Sequence, residues 1–217
     1  MKYKRLPNKL KVWKKTLALL VFFILSIYLT ADNWQTGPGG KPSRHGLSTE
    51  IGPQAADLLW QGSVSAVVAQ QAVIDGDIVV MSRMFNINNV LYGTKIVAHD
   101  LITGDTLWTK GLPVDFPSTD WRSRVSAFKE GVVYATRAGN TNYSYMYALD
   151  VADGSIIWKS EGLVNESSTE GSSFSSNGDL IVGNFDNIIR INHLDGTTVW
   201  QTIRSCPTTG GGEVAVF

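Results

Sequence analysis

The chain has 217 residues, a formal net charge of zero from 19 Lys and Arg against 19 Asp and Glu, and one cysteine. The balance is uneven: residues 1–15 hold seven cations (Lys2, Lys4, Arg5, Lys9, Lys11, Lys14, Lys15) and no acid precedes residue 32, so past the head 12 cations face all 19 acids. An excess of negative charge argues against a nucleic-acid binder, whose phosphate contacts need clustered cations. The lone Cys206 cannot form an internal disulfide, and no CxxCH haem site occurs.

In chain order, the basic head leads into Thr16–Thr30, 15 mostly apolar residues centred on Leu17–Leu25. A positive stretch followed by such a run is the pattern of an export signal. Residues 1–31 are therefore expected to form one hydrophobic helix, as a signal peptide or as an N-terminal anchor in the inner membrane. A cut after Ala31 would place Leu29 at the −3 position, which is a poor cleavage site, and the run is shorter than the about 20 residues of a full span. Both outcomes stay open. An uncleaved segment would keep its basic end in the cytoplasm and tether a periplasmic or extracellular body. No Cys follows the apolar run, so a lipid anchor is not expected.

Residues 32–62 read as a lead-in and closing strand that ends at Leu58-Leu59-Trp60-Gln61. From residue 63 onward, short alternating apolar runs surround turn dipeptides at Asp75-Gly76, Glu130-Gly131 and Asn177-Gly178, the pattern of regularly spaced hairpins. Each hairpin is followed by one copy of a longer motif. Ala98-His99-Asp100-Leu101-Ile102-Thr103-Gly104-Asp105-Thr106-Leu107-Trp108 recurs as Ala148 to Trp158, with Asp150 and Gly154 in step, and again, worn, as Arg190 to Trp200, with Asn192 and Gly196. The Trp-to-Trp spacings of 50 and 42 residues fit one four-stranded unit. Within the motif, Asp or Asn can bond the backbone two residues on and Gly supplies a positive φ.

This pattern resembles the tryptophan-docking motif A-x-D-x-x-T-G-x-x-x-W of the pyrroloquinoline quinone (PQQ)-like propellers, which include quinoprotein alcohol dehydrogenases and BamB-like envelope proteins. The first copy keeps all five fixed residues (Ala98, Asp100, Thr103, Gly104, Trp108), the second has Asp153 for Thr, and the third keeps only Gly196 and Trp200. The resemblance covers about residues 33–217. It implies an all-β fold, a propeller of four-stranded blades with about three present, and a docking role for Ala98, Asp100, Gly104, Trp108, Ala148, Asp150, Gly154, Trp158, Asn192, Gly196 and Trp200. Glu213–Phe217 reads as the first strand of a fourth blade, so the chain is expected to be the front of a longer ring, since three blades close poorly.

Catalytic patterns are scarce. His45, His99 and His193 are far apart, and no HExxH, GxSxG or P-loop string occurs. Gly210–Gly212 reads as an inter-blade loop, Asn140–Tyr145 as a polar hairpin tip, and Arg122 and Arg124 beside Trp121 as a loop over a blade edge. The expectation is an exported, non-catalytic propeller that binds an envelope protein or a small ligand through its loops, with no cofactor. The alternative that the resemblance implies is a PQQ- and calcium-dependent dehydrogenase acting on an alcohol or sugar. The absence of a Cys-Cys pair counts against the alcohol-dehydrogenase subgroup.

Overall fold

Alternating apolar residues between tight turns fold here into three four-stranded antiparallel sheets, each a simple meander. The computed structural model describes residues 35, 55, 57–62, 72–117, 122–138, 143–165, 172–183 and 186–204. The expected N-terminal helix, most of the lead-in, His45, Trp121, Asn140–Asn142, Cys206, Gly210–Gly212 and the expected strand at Glu213–Phe217 lie outside the described residues.

The first sheet is β1 (Val73–Asp75), β2 (Ile78–Met84), β3 (Thr94–Asp100) and β4 (Thr106–Lys110). A 3-10 turn at Ile87–Asn89 and a short helix, α1 (Val90–Gly93), link β2 to β3. The second sheet is β5 (Arg122–Lys129), β6 (Val132–Ala138), β7 (Tyr143–Asp150) and β8 (Ile156–Asn165). The third is β9 (Ser173–Phe174), β10 (Leu180–Gly183), β11 (Asn187–Ile191) and β12 (Thr198–Ile203). Each hairpin dipeptide of the sequence sits at the turn between the first two strands of its sheet. In the second sheet both central turn residues are left-handed, Glu130 at φ +50° and Gly131 at +82°, which matches the twist of the flanking strands.

The ladder between the third and fourth strands slips at the same point in every sheet. Ala98↔Trp108 is followed by His99↔Thr106, Ala148↔Trp158 by Leu149↔Ile156, and Arg190↔Trp200 by Ile191↔Thr198. The extra residue is Leu107, Ile157 or Val199, each about half exposed (48%, 49% and 48%). A bulge bends its strand and re-aims the neighbouring side chain, and here that neighbour is the motif Trp.

The core lies between the sheets. Val80, Ile96, Val125, Phe128, Val133, Tyr147 and Leu149 pack with Trp108 between the first two. Tyr134, Met146, Val164, Phe174, Leu180 and Ile189 pack with Trp158 between the second and third. Successive strand residues point to opposite faces, so β6 sends Val133 one way and Tyr134 the other, and both are buried. Two expectations are corrected. Arg122 and Arg124 belong to β5, not to a loop, and Arg124 is buried; Tyr145 stands in β7, stacked on Phe116 with ring centroids 5.7 Å apart, not at a solvated tip. Among the described residues no helix is long and apolar enough to cross a membrane.

Candidate functional site

The motif residues meet between sheets. Trp108 lies against Gly154 of the next sheet so closely that a Cβ there would fall 2.8 Å from its Cε3, and Trp158 lies against Gly196 with the same distance at 2.6 Å. Trp60, whose segment 57–62 forms no strand, lies against Gly104 in the same manner, with Cδ2 at 2.5 Å from such a Cβ. Each indole N–H donates to the carbonyl three residues before the glycine it covers. The bonds run from Trp60 to Leu101 (2.8 Å), Trp108 to Val151 (2.5 Å) and Trp158 to His193 (2.9 Å). On the ring's own sheet, Ala98 and Ala148 are fully buried directly opposite Trp108 and Trp158, so each ring is held between a small residue of its own sheet and a glycine of the next. Trp200 has Arg190 opposite it and is 40% exposed.

Asp100, Asp150 and Asn192 build the sockets. Their side-chain oxygens accept the N–H of Ile102 (2.9 Å), Ala152 (2.8 Å) and Leu194 (2.9 Å), and their carbonyls accept the N–H of Gly104, Gly154 and Gly196. Asn serves as well as Asp because only one acceptor oxygen is used. The Thr103 and Ile102 N–H bonds hold the Asp100 carboxyl below its ordinary range, with Thr103 the strongest influence and burial opposing. Asp195 accepts the Thr197 hydroxyl at 2.7 Å and its N–H at 3.0 Å, and the two bonds lower it, the hydroxyl most.

The third sheet departs from this pattern at three linked positions, none of which sequence reasoning singled out for a role together. The register (Ile78↔Asp100, Val132↔Asp150, Leu180↔Ile191) places Asp179 where the first two sheets have Ile78 and Val132. His193 stands where they have Leu101 and Val151, and Arg190 where they have Ala98 and Ala148. These residues form one network: Arg190 Nε donates to Asp179 Oδ2 at 2.7 Å, Asn177 Nδ2 donates to the same oxygen at 2.9 Å, and His193 Nδ1 lies 2.9 Å from Asp179 Oδ1. Asp179 is only 4% exposed. Burial opposes its ionisation most strongly, but the bonds from His193, Asn177 and Arg190 together outweigh it and bring its pKa down to about 2. The imidazole packs over Gly178 at the mouth of a cleft of about 480 Å3 between the second and third sheets, lined also by Lys129, Tyr134, Ile157 and Leu194. Burial, with the charges of Glu130 and Asp179 behind it, pushes the Tyr134 hydroxyl up to about 12.

A calcium-bound quinone needs a set of oxygen donors, six to eight for the ion alone. The buried polar residues of the first strands are Ser123, Arg124, Ser126 and Ser173; Ser126 bonds Ser172, and the Ser123 carbonyl accepts from Ser82. Among the described residues no three His, Cys, Asp or Glu side chains converge on one point. Hydroxyls bonded to each other and an arginine do not make that donor set, so the described residues do not fit a calcium–quinone site.

The family described as outer membrane protein assembly factor BamB matches residues 92–215. No curated protein matches the chain. The quinohemoprotein alcohol dehydrogenase of Comamonas testosteroni is similar with a TM-score of 0.55 at 20% identity, over 79% of this chain and 27% of its own. A europium-containing methanol dehydrogenase is similar with a TM-score of 0.55 at 16% identity, over 81% and 32%. BamB from Moraxella catarrhalis gives 0.40 at 15% identity, over 58% and 33%. The chain thus spans about a third or less of the length of these structures, and the two dehydrogenases share its fold. Matched by the family over more than half its length, and built of Trp-bearing four-stranded sheets, the chain belongs to the PQQ-like, BamB-type β-propeller repeat family.

Proposed function

We propose that this chain is an exported, non-catalytic propeller of the bacterial cell envelope that binds a protein partner through its inter-blade clefts and loops. The observation that carries the reading is the match to a family named for outer-membrane protein assembly, over residues 92–215, from β3 onward. The basic-then-apolar head supports export, and the docking role of Trp108, Trp158 and their glycine sockets supports a rigid frame on which side chains can be presented. A fold shared with other functions does not by itself carry their chemistry. The test is to express the full chain with a photo-reactive residue at Leu194, fractionate the cells and crosslink. Recovery in the envelope fraction, joined to a protein partner, is expected; recovery in the cytoplasm would sink the reading.

The second reading is a quinoprotein dehydrogenase, favoured by the fold likeness to the alcohol and methanol dehydrogenases. PQQ, when bound, would accept the electrons of an alcohol or sugar. Addition of PQQ and Ca2+ to the full chain in a dye-linked assay decides it. No turnover above the protein-free control is expected, and saturable turnover would replace the first reading with the second.

A further inference from the structure

The third sheet exchanges three apolar residues for a charged network at one place, and the exchange faces a cleft. In the first two sheets the position facing the following turn is an aliphatic pair, Ile78 with Leu101 and Val132 with Val151; in the third it is Asp179 with His193, backed by Arg190. Burying a carboxylate here costs stability unless it is fully bonded, and an aliphatic pair already serves the other sheets. The network therefore calls for a use beyond packing. We propose that the cleft between the second and third sheets binds an extended peptide of a partner protein, recognising an acidic side chain next to an apolar one.

The chemistry of the lining sets the ligand. Asp179 accepts from Nδ1 of His193 and holds the ring so that Nε2 meets the cleft, where a peptide group, with both an N–H and a C=O, can pair with it. The charge of Asp179 is met by Arg190, so it does not repel an incoming anion. Lys129 is the cation on the opposite wall. Its contact with Glu130 is 3.6 Å long with that carboxylate 81% exposed, a pair worth little in water, so a ligand carboxylate can take the place of Glu130. The exposed Ile157 and Leu194, with the Tyr134 ring, offer an apolar wall. Imidazole, cation and apolar wall together match a peptide carrying Glu or Asp beside a large apolar residue. A fatty or aromatic acid matches only two of the three. The volume of about 480 Å3 is within the ordinary range of ligand clefts.

This inference rests on the reading of the chain as a binding module and narrows it to one site. The test uses the full chain, 15N-labelled, titrated with acetyl-Phe-Glu-amide, acetyl-Phe-Gln-amide and 4-phenylbutyrate while the His193 ring signals are followed by NMR. The Glu peptide is expected to shift those signals and to bind about threefold or more tighter than either other probe, the scale of one partly exposed charge pair. Lys129→Gln, on a side chain whose ammonium lies over the Phe174 ring, should remove the preference for Glu over Gln without altering the circular dichroism spectrum. His193→Gln should weaken both peptides alike. Equal binding of the two peptides, equal binding of phenylbutyrate, or unmoved His193 signals at saturation would each overturn the proposal. Such a result, with envelope crosslinking at Leu194 intact, would reject this ligand and leave the scaffold reading standing.

Discussion

Replacing Trp108 by Ala tests the frame most directly. The ring is 8% exposed, presses on Gly154 and donates to the Val151 carbonyl. Removing an aromatic that buries about 200 Å2, at about 25 cal/mol per Å2, forfeits a gross 5 kcal/mol or so. Large aromatic truncations cost about 3–5 kcal/mol, and the orphaned carbonyl adds about 1. Trp200 supplies the internal control: it is 40% exposed and its indole N–H has no partner among the described residues. Trp200→Ala is therefore expected to cost about 1 kcal/mol. The assay is urea unfolding of the full chain followed by far-ultraviolet circular dichroism, which does not depend on tryptophan emission, with the slopes compared before free energies are read. A loss for Trp108→Ala below about 1 kcal/mol, or one no larger than that of Trp200→Ala, would refute the docking argument.

Other expected outcomes follow from the same contacts. Gly154→Ala suffers both a left-handed φ of +71° and a Cβ 2.8 Å from the Trp108 ring, whereas at Gly76 the φ is +58° and nothing lies within 4 Å. Gly76→Ala should cost about 1–2 kcal/mol and Gly154→Ala at least about 1 kcal/mol more, by the same unfolding assay; equal costs would mean the socket can give way. Asp179 has a folded pKa of about 2 against an unfolded value of 3.8, so its contribution is present above about pH 4 and is lost as the pH falls toward 2. That contribution is about 2 kcal/mol, and Asp179→Asn should flatten the stability profile across that window relative to the parent; parallel profiles would show that the carboxylate is not held as described. Asn192→Asp should leave stability within about 0.5 kcal/mol, and Asn192→Ala should cost about 1 kcal/mol through the lost Leu194 bond, both read from thermal unfolding midpoints.

Much of the frame is legible in the residues themselves. Turn glycines stand out because few other residues accept a positive φ, and the motif Trp stands out because a repeat returns it at blade spacing. Trp60 carried the same tryptophan ending without a turn, and the structure gives it the Gly104 socket. The bulge before each Trp was hidden, since Leu107, Ile157 and Val199 look like ordinary strand residues and nothing in an apolar run says which member is unpaired. The Asp179 network was hidden for a different reason. Its members are 11 and 14 positions apart, and Arg190 and His193 each read singly as wear in a decaying repeat. A signal was available: three departures from an apolar consensus in one copy, with complementary charges, are better explained by mutual contact than by drift. Arg124 was misplaced because Arg122-Ser123-Arg124 is polar enough to pass for a loop, while β5, the first strand of its sheet, buries it.

Trp60, Trp108 and Trp158 each hand their indole hydrogen to main chain, and the residues that receive it, Leu101, Val151 and His193, are two aliphatics and an imidazole. The coupling between neighbours is therefore blind to side-chain identity at the receiving position. Only the glycine and the ring are obligatory, and these are the two residues that survive in the most worn copy. A unit joined this way can be duplicated, deleted or grafted beside an unfamiliar neighbour without redesigning the joint. The same indifference leaves His193 free to take on another task while its carbonyl still holds Trp158, so that one residue can serve the frame with its backbone and a ligand with its side chain.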